Sequence, residues 1–378
     1  MLAATLLPAF GVLLAFLTIE LAVRVLHLVP DRFWEWDPLL GTRLIANKEG
    51  WWTQEEGEFK VRVRINSRGL RDVEHAPQKR PGVPRVVVLG DSFMEAMQVP
   101  LEATFARRLE AKLIEAGVAA EVVNGGVSGY GTAGQLLWLR ERGREYQPDL
   151  VLLAFYPGND VKNNSPELEP ALRPQYGSDG ALERIAAPQR AERRGWLGWS
   201  AAVKYVRKVL LTGHAGLADP LARIGLLDAG AAQVAQRDGV PVDYGVYRVG
   251  ADPEWERAWQ KTSLLLSGLH DVARKQGAAL AIMVVTARER IYPDTWKEIC
   301  EANPRMKEME WDLDAPERRI VEWCEANRIP CIPLTSVFEQ QSDGDEPLHY
   351  RHDGHWTARG HELAAEMAVQ TIKKELKR

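Results

Sequence analysis

Arg85-Val86-Val87-Val88-Leu89-Gly90-Asp91-Ser92-Phe93 is the stretch that decides the fold. Its β-branched apolar residues predict a buried strand, and the glycine and polar residues after them predict a turn at the carboxyl end of that strand. Similar apolar runs occupy residues 121–124, 150–156, 279–285 and 330–334, and helical spacing marks residues 101–115, 134–144, 253–275 and 358–375. This alternation predicts a three-layer α/β/α sandwich around a parallel sheet of about five strands.

Polar residues follow several of these strands at the point where each one ends. The segments are Gly90-Asp91-Ser92-Phe93, Asn124-Gly125-Gly126 and Gly158-Asn159-Asp160, with Asp353-Gly354-His355-Trp356 just before the last helix. In an open parallel sheet, ligands bind beyond the carboxyl ends of the strands. We therefore expect these segments to meet in one site.

The residue types in these segments are those that acyl transfer needs. A serine hydroxyl such as Ser92 becomes a good nucleophile when a base, here His355, removes its proton. Asp353 can hold the imidazole in the correct tautomer and stabilise its charged form. The backbone N–H groups of Ser92 and Gly126 and the side-chain amide of Asn159 can stabilise the oxyanion.

These four segments, in this order, resemble the blocks of the SGNH hydrolase superfamily, also called GDSL esterases and lipases. The resemblance covers about residues 85–161, 279–286 and 330–375. It implies an SGNH or flavodoxin-like sandwich, Ser92, His355 and Asp353 as catalytic residues, and an oxyanion hole of Ser92, Gly126 and Asn159. The implied activity is serine-dependent ester hydrolysis through an acyl-serine, removing O-acetyl or other acyl groups from a carbohydrate or cell-envelope substrate, without a cofactor.

The last block departs from the family pattern, which is Asp-x-x-His. Asp353 and His355 are separated by one residue and are followed by Trp356. Asp-x-His-Trp is similar to the pattern of SGNH-like polysaccharide O-acetyltransferases, such as those acting on alginate, although those enzymes place this block ahead of the serine. O-acetylation of an envelope polysaccharide therefore stands as the alternative function.

The N-terminal segment predicts a membrane anchor. Residues from Leu2 to Ile19 carry no charge, and the apolar stretch continues to Val23 with Glu20 as its only charged member. Such a stretch, as a helix, is just long enough to cross a hydrocarbon core of about 30 Å. Phe33, Trp34 and Trp36 follow it, with rings suited to the headgroup level.

The predicted organisation is a transmembrane anchor over residues 1–24, a juxtamembrane segment with a small β element and a linker over 25–84, and a catalytic domain over 85–378. A largely helical insertion occupies about residues 162–278 of that domain, with one helix expected near Trp196 to Leu210. The cations that follow the anchor favour a cytoplasmic domain by the positive-inside rule. SGNH proteins with a single N-terminal anchor usually face outward, so we expect a single-pass membrane protein with an extracytoplasmic domain.

Composition excludes several classes of protein. Lys and Arg number 48 against 52 Asp and Glu, so the chain lacks the cationic surface that nucleic-acid binding requires. A mean hydropathy of −0.27 argues against a polytopic membrane protein. The 3 cysteines cannot form a disulfide framework, and a bridge between Cys324 and Cys331 is left open.

Other interpretations are open. The segment from Gly129 to Gly134 matches the dinucleotide-binding pattern G-x-G-x-x-G, with Asp160 as the candidate ribose-binding acid of an oxidoreductase. His349 and His352, evenly spaced with His355, suggest a metal site, although we expect none. A non-catalytic binding module is the remaining possibility, and it is disfavoured because every catalytic group is present.

Overall fold

A computed structural model of the chain describes residues 2–54, 57–169, 174–176, 182–183, 200–206, 236–250 and 252–377. Its helices are α1 (Leu2–Val25), α2 (Ser92–Glu95), α3 (Phe105–Glu115), α4 (Thr132–Glu141), α5 (Pro157–Asp160), α6 (residues 201–206), α7 (Pro253–Lys275), α8 (Arg288–Ile291), α9 (Pro293–Ala302), α10 (Ala315–Asn327), α11 (Thr335–Gln341) and α12 (Ala358–Glu375). Short 3₁₀ turns occupy Leu101–Ala103, Gly143–Tyr146, Lys162–Asn164, Val242–Tyr247 and Pro304–Glu308.

The strands are β1 (Trp34–Asp37), β2 (Gly41–Leu44), β3 (Glu49–Thr53), β4 (Lys60–Arg64), β5 (Arg85–Leu89), β6 (Glu121–Asn124), β7 (Leu150–Phe155), β8 (Gln175–Tyr176), β9 (Leu182–Glu183), β10 (Gln236–Arg237), β11 (Val240–Pro241), β12 (Ala279–Val284) and β13 (Cys331–Pro333). Five of them form the main sheet in the order β13-β12-β7-β5-β6. Every neighbouring pair in that sheet is parallel, which confirms the predicted five-strand parallel sheet.

The strand order creates a crevice between β5 and β7. Numbered by their order in the chain, the five strands lie side by side as 2-1-3-4-5. The chain therefore runs from β5 toward one edge of the sheet, to β6, and from β7 toward the other edge, to β12. Such a switch point is where open α/β sheets bind ligands. Ser92 follows β5 and Asn159 follows β7, so the two predicted site residues flank this crevice.

Each face of the sheet is covered by helices because successive side chains of a buried strand point in opposite directions. Val87 and Leu89 of β5 join the apolar core under α4 and α7, and Val86 and Val88 join the core under α3 and α12. Both cores consist of buried apolar side chains. The two packed faces hold the carboxyl ends of the strands rigidly in register.

The N-terminal segment is helical, as predicted, but its surroundings differ from the prediction. Glu20, only 7% exposed, accepts hydrogen bonds from the Ser200 hydroxyl at 2.7 Å and from the Ala202 N–H at 2.8 Å, at the start of α6. In the described part of the chain no helix combines the length and the hydropathy that crossing a membrane requires. The structure therefore does not support the predicted transmembrane anchor.

The β elements after α1 pack against the part of the chain that contains the main sheet. Phe33 is fully buried, and the Trp34 indole donates to Glu95 Oε1 at 2.8 Å, so these two rings face protein where we expected a membrane interface. Strands β1–β2 and β3–β4 form antiparallel pairs, and side chains along β4 alternate between exposed and buried, in keeping with the small β element predicted in segment 25–84. Segment 25–84 thus contributes directly to the surroundings of the site.

The insertion is only partly described, and the predicted helix near Trp196 to Leu210 lies mostly outside the described residues. Within them, α6 covers residues 201–206 and α7 covers the predicted helix at Pro253–Lys275. Cys324 and Cys331 are both free thiols, so the disulfide that the sequence left open is not formed here.

Candidate functional site

Ser92 stands at the first position of a short helix that begins where β5 ends. Asp91 caps this helix, because its Oδ1 accepts a hydrogen bond from the Phe93 N–H at 2.9 Å. Gly90 allows the tight turn, since a Cβ at that position would lie 2.5 Å from Met94 Cγ. The turn leaves Ser92 half-buried, with its hydroxyl at the carboxyl edge of the sheet.

The structure brings Ser92, His355 and Asp353 together in one chain of hydrogen bonds. Ser92 Oγ lies 2.7 Å from His355 Nε2, and His355 Nδ1 lies 2.7 Å from Asp353 Oδ1. These contacts have the geometry of a nucleophile, a base and an orienting carboxylate. The Phe93 ring packs 4.9 Å from the imidazole and limits its movement.

The loop that carries His355 is held by a residue far from it in sequence. Both carboxylate oxygens of Glu58, just before β4, accept the His352 N–H, and one of them also accepts the Asp353 N–H at 3.0 Å. The His355 carbonyl accepts the Tyr350 N–H at 2.8 Å. The contacts with Glu58 and the hydrogen bond within the loop therefore both hold this loop in place before α12 begins.

The electrostatic surroundings of His355 and Asp353 suit His355 as a general base. Burial disfavours the charged imidazolium and so lowers the pKa of His355. The hydrogen bond and the negative charge of Asp353 outweigh burial, so the pKa of His355 is raised. The negative charges of Asp91 and Glu95 act in the same direction as Asp353. Burial tends to raise the pKa of Asp353, yet its hydrogen bond to His355 and the charge of that ring lower it. Asp353 thus stays ionised while His355 accepts a proton.

Asn159 lies in helix α5, which follows β7. Its Nδ2 donates to Asp91 Oδ2 at 2.8 Å, which leaves the second N–H of that amide for another acceptor. Asp91 is fully buried, and burial raises its pKa even though the bonds from Phe93 and Asn159 oppose that shift. One carboxylate therefore holds the nucleophile turn with one oxygen and Asn159 with the other.

Gly126 lies against the helix of the nucleophile, but its N–H has a partner that we did not expect. A Cβ at Gly126 would lie 2.5 Å from Met94 Cβ, so only glycine fits this approach. The Gly126 N–H donates to Asn124 Oδ1 at 3.0 Å, in the Asx turn that asparagine favours at a strand end. In this geometry the Ser92 N–H, in the first turn of α2, and the Asn159 amide are the donors available to an oxyanion.

Asn124 is a supporting residue that the sequence analysis did not identify. It is buried, its Nδ2 donates to the Met94 carbonyl at 2.7 Å, and its own N–H donates to Asp72 Oδ2 at 2.7 Å. Asn124 thereby joins the Gly126 turn to α2 and to the segment that precedes β5. Its position directly before two glycines was the available signal, because Asn-Gly sequences form tight turns.

Glu95 is a second supporting residue missed in the sequence. Its fully buried carboxylate accepts the Trp34 indole N–H and the Ser128 hydroxyl, so it joins β1 to the loop after Gly126. Burial raises the pKa of Glu95 to about 7, although the bonds from Ser128 and Trp34 favour its ionised form. The contact gives the Ser128 hydroxyl a structural role.

The other candidate residues lie elsewhere. Asp160 is fully buried, where its carboxylate accepts the Gln135 amide and the Tyr156 N–H, so it is not poised for a ribose hydroxyl. His349 is buried with Nε2 3.2 Å from the Thr286 carbonyl, whereas His352 is exposed. Within the described residues, no group of three or more His, Cys, Asp or Glu is arranged to hold a metal ion.

The raised pKa of His355 predicts the pH dependence of activity. The base acts only when neutral, so kcat/KM should rise with pH through a midpoint above the ordinary histidine value of about 6.5. Asp353→Asn should move that midpoint to lower pH and reduce kcat by about 10³–10⁴-fold. Rates of 4-nitrophenyl acetate hydrolysis measured from about pH 5 to 9 test this.

The control for that experiment is Asp345→Asn, the same charge change at an exposed position in the preceding loop. It should leave both the midpoint and kcat unchanged. An unchanged midpoint in Asp353→Asn would show that Asp353 does not stabilise the imidazolium, and a wild-type midpoint at or below that of free histidine would contradict the raised pKa of His355.

The Asp91–Asn159 hydrogen bond predicts a second result. Asn159→Ala removes an oxyanion donor and should lower kcat by about 10²–10³-fold with little change in KM. Asp91→Asn should act in the same direction, because an amide cannot accept from both Phe93 and Asn159 through two oxygens. Asn327→Ala, at an exposed position at the end of α10, is the control. An unchanged kcat in Asn159→Ala would remove this amide from the oxyanion hole.

Two models of known protein families together match most of the chain. Residues 88–270, which contain Ser92, Gly126 and Asn159, match the GDSL-like Lipase/Acylhydrolase family. Residues 250–378, which contain Asp353 and His355, match the model described as SGNH hydrolase-like domain, acetyltransferase AlgX.

Individual relatives are more distant. An arylesterase of Vibrio mimicus is 31% identical over 84 residues, which are 22% of this chain and 42% of that protein, so the chain spans less than half of this relative. The crystal structure of the acetyl xylan esterase AlAXEase has a TM-score of 0.41 and 12% identity, covering 76% of this chain and 99% of the esterase. Esterase EstA from Pseudoalteromonas sp. has a TM-score of 0.38 and 13% identity, covering 78% and 99%. Both matching family models describe SGNH or GDSL-type domains and together they match residues 88–378, which supports a relationship of this chain to the SGNH/GDSL hydrolase superfamily.

Proposed function

We propose that this protein is a serine-dependent enzyme that acts on ester bonds through an acyl-Ser92 intermediate. The observation that carries the proposal is the continuous chain of hydrogen bonds from Ser92 Oγ through His355 to Asp353, with 2.7 Å at each step. Ser92, Asn159 and His355 are each half-buried at the crevice, while Asp91, which holds the turn of Ser92 and the Asn159 amide, is buried. Acyl transfer requires reactive atoms that a substrate can reach and that a rigid support holds in position.

In the first half of the reaction, Ser92 Oγ attacks the ester carbonyl carbon and His355 Nε2 takes the serine proton. The carbonyl oxygen becomes an oxyanion, stabilised by the Ser92 N–H and the Asn159 amide. When the intermediate collapses, the bond to the leaving alcohol breaks and His355 returns the proton to that oxygen. The products are the free alcohol and acyl-Ser92.

In the second half, His355 removes a proton from a water or a hydroxyl as that oxygen attacks the acyl carbon. Collapse breaks the bond to Ser92 Oγ, which recovers its proton from His355. Water yields a carboxylic acid and therefore net hydrolysis, whereas an alcohol yields a new ester and therefore transfer. The triad is identical for both outcomes, so access of the acceptor decides between them.

For the substrate, we propose an O-acyl group, foremost O-acetyl, on a carbohydrate or cell-envelope molecule. The match of residues 250–378 to an acetyltransferase domain supports acetyl as the transferred group. The same match favours the second candidate, an O-acetyltransferase that modifies an envelope polysaccharide, because the matched residues include Asp353 and His355. The extracytoplasmic location and the association with a membrane stay predictions.

Ser92→Ala tests the proposal. Because the variant lacks the nucleophile, it should abolish turnover of 4-nitrophenyl acetate, while Ser336→Ala, an exposed serine on α11, should not change it. Circular dichroism checks that both variants fold. Turnover by Ser92→Ala equal to the wild type would refute the acyl-serine.

The same wild-type reaction, supplied with an oligosaccharide acceptor, separates the two candidates. Free acetate as the only acyl product supports hydrolysis, and acetylated oligosaccharide detected by mass spectrometry supports transfer. A Ser92→Ala sample that still acetylates the sugar would contradict both.

A further inference from the structure

Tyr156 is the first residue after β7, and none of the catalytic steps above uses its side chain. Its ring is half-buried and packs on Phe93, with the two ring centroids 4.8 Å apart. Phe93 directly follows Ser92 in the chain, and its ring also lies 4.9 Å from the His355 imidazole. Tyr156 therefore belongs to the immediate surroundings of the proposed nucleophile.

The turn that places Asn159 also fixes the backbone of Tyr156. The Tyr156 carbonyl accepts the N–H groups of Asn159 at 3.0 Å and of Asp160 at 2.8 Å. The Tyr156 N–H donates to the buried Asp160 carboxylate at 2.7 Å. The 3₁₀ turn Val242–Tyr247 packs against the same helix, α5. One supported turn thus carries both the Asn159 amide and the Tyr156 ring.

Gly158 shows how closely the Tyr156 ring lies over this turn. A Cβ at position 158 would lie 2.8 Å from Tyr156 Cζ and 2.9 Å from its hydroxyl oxygen. The backbone of Gly158 is helical, a conformation that other residues also adopt, so glycine is needed here for the approach of the ring and not for the turn. The outer end of the Tyr156 side chain therefore lies beside the residue that precedes Asn159.

The chemistry of the reaction directs the acyl chain away from His355. In the tetrahedral intermediate, the central carbon is bonded to Ser92 Oγ, the oxyanion, the leaving oxygen and the acyl chain. His355 lies beside the leaving oxygen, because it returns the proton there, and the oxyanion faces the Ser92 N–H and the Asn159 amide. The direction that remains for the acyl chain leads to the α5 side of the crevice, where the Tyr156 ring lies.

We infer that Tyr156 determines the specificity for the acyl group, because its ring closes the acyl side of the site so that acetyl fits and longer chains collide with the ring. The inference rests on the proposed function, and it names the class of acyl group as a short one. The ring already lies against Gly158 and Phe93, so it cannot move deeper into the turn to admit a longer chain. Steric exclusion of this kind discriminates between substrates that differ by a few methylene groups.

Aryl esters that differ only in the acyl chain test the inference, because the leaving group stays the same. The substrates are 4-nitrophenyl acetate, butyrate and octanoate. In the wild type, kcat/KM should fall at least about tenfold from acetate to octanoate. Tyr156→Ala removes the ring and should raise the octanoate-to-acetate ratio of kcat/KM by about tenfold or more. Tyr156→Phe keeps the ring and should retain the wild-type ratio.

A second variant and a control complete the experiment. Tyr156→Leu shortens the side chain and should raise the butyrate-to-acetate ratio, and it carries the test if circular dichroism shows that Tyr156→Ala does not fold. Tyr205→Ala, which truncates a half-buried tyrosine of α6, is the matched control and should leave both ratios unchanged.

The outcomes separate this inference from the proposed function. A wild type that hydrolyses octanoate as fast as acetate, ratios unchanged in the folded smaller variants, or a shift as large in Tyr156→Phe as in Tyr156→Ala would each overturn the role of the ring and leave the esterase intact. Turnover of the three esters that survives Ser92→Ala would instead overturn the proposed function. Relaxed chain-length selectivity that is confined to the variants without the ring supports the inference.

Discussion

The buried carboxylate of Asp91 is the constraint on which the site depends. With one oxygen it caps the helix that begins at Ser92, and with the other it accepts the Asn159 amide from α5, the helix after the neighbouring strand. The two strands concerned, β5 and β7, are adjacent at the switch point of the sheet. A single side chain therefore sets the distance between Ser92 and Asn159, the proposed nucleophile and oxyanion donor, and it also adds negative charge near His355.

The polypeptide before β5 forms the support for the rest of the site. Glu58 holds the loop of His355, Trp34 contacts Glu95, and Asp72 accepts the N–H of Asn124. Each contact reaches a different catalytic segment, so the N-terminal β elements fix these segments relative to one another. The region expected to be juxtamembrane chain and linker is thus part of the active-site architecture.

The sequence predicted the sheet and the triad because their signals are local. A buried strand is a short apolar run, and the carboxyl ends of parallel strands necessarily share one edge, so Ser92, Asn159 and His355 were expected to meet. The supporting contacts carried no such signal, since Trp34 and Glu95 are 61 residues apart and Glu58 and Asp353 are 295 apart. From the sequence we expected the Gly126 N–H to stabilise the oxyanion. In the folded turn this N–H instead donates to Asn124 Oδ1, and that bond depends on the three-dimensional shape of the Asx turn.

Labelling with a fluorophosphonate tests the central claim most directly, because the reagent reacts with a serine that an adjacent base activates. Peptide mapping of the labelled wild-type protein by mass spectrometry should find the phosphonyl group on Ser92, and His355→Ala should react at least about 10²-fold more slowly. Label on another serine, Ser128 included, or equal labelling rates with and without the imidazole, would contradict the account.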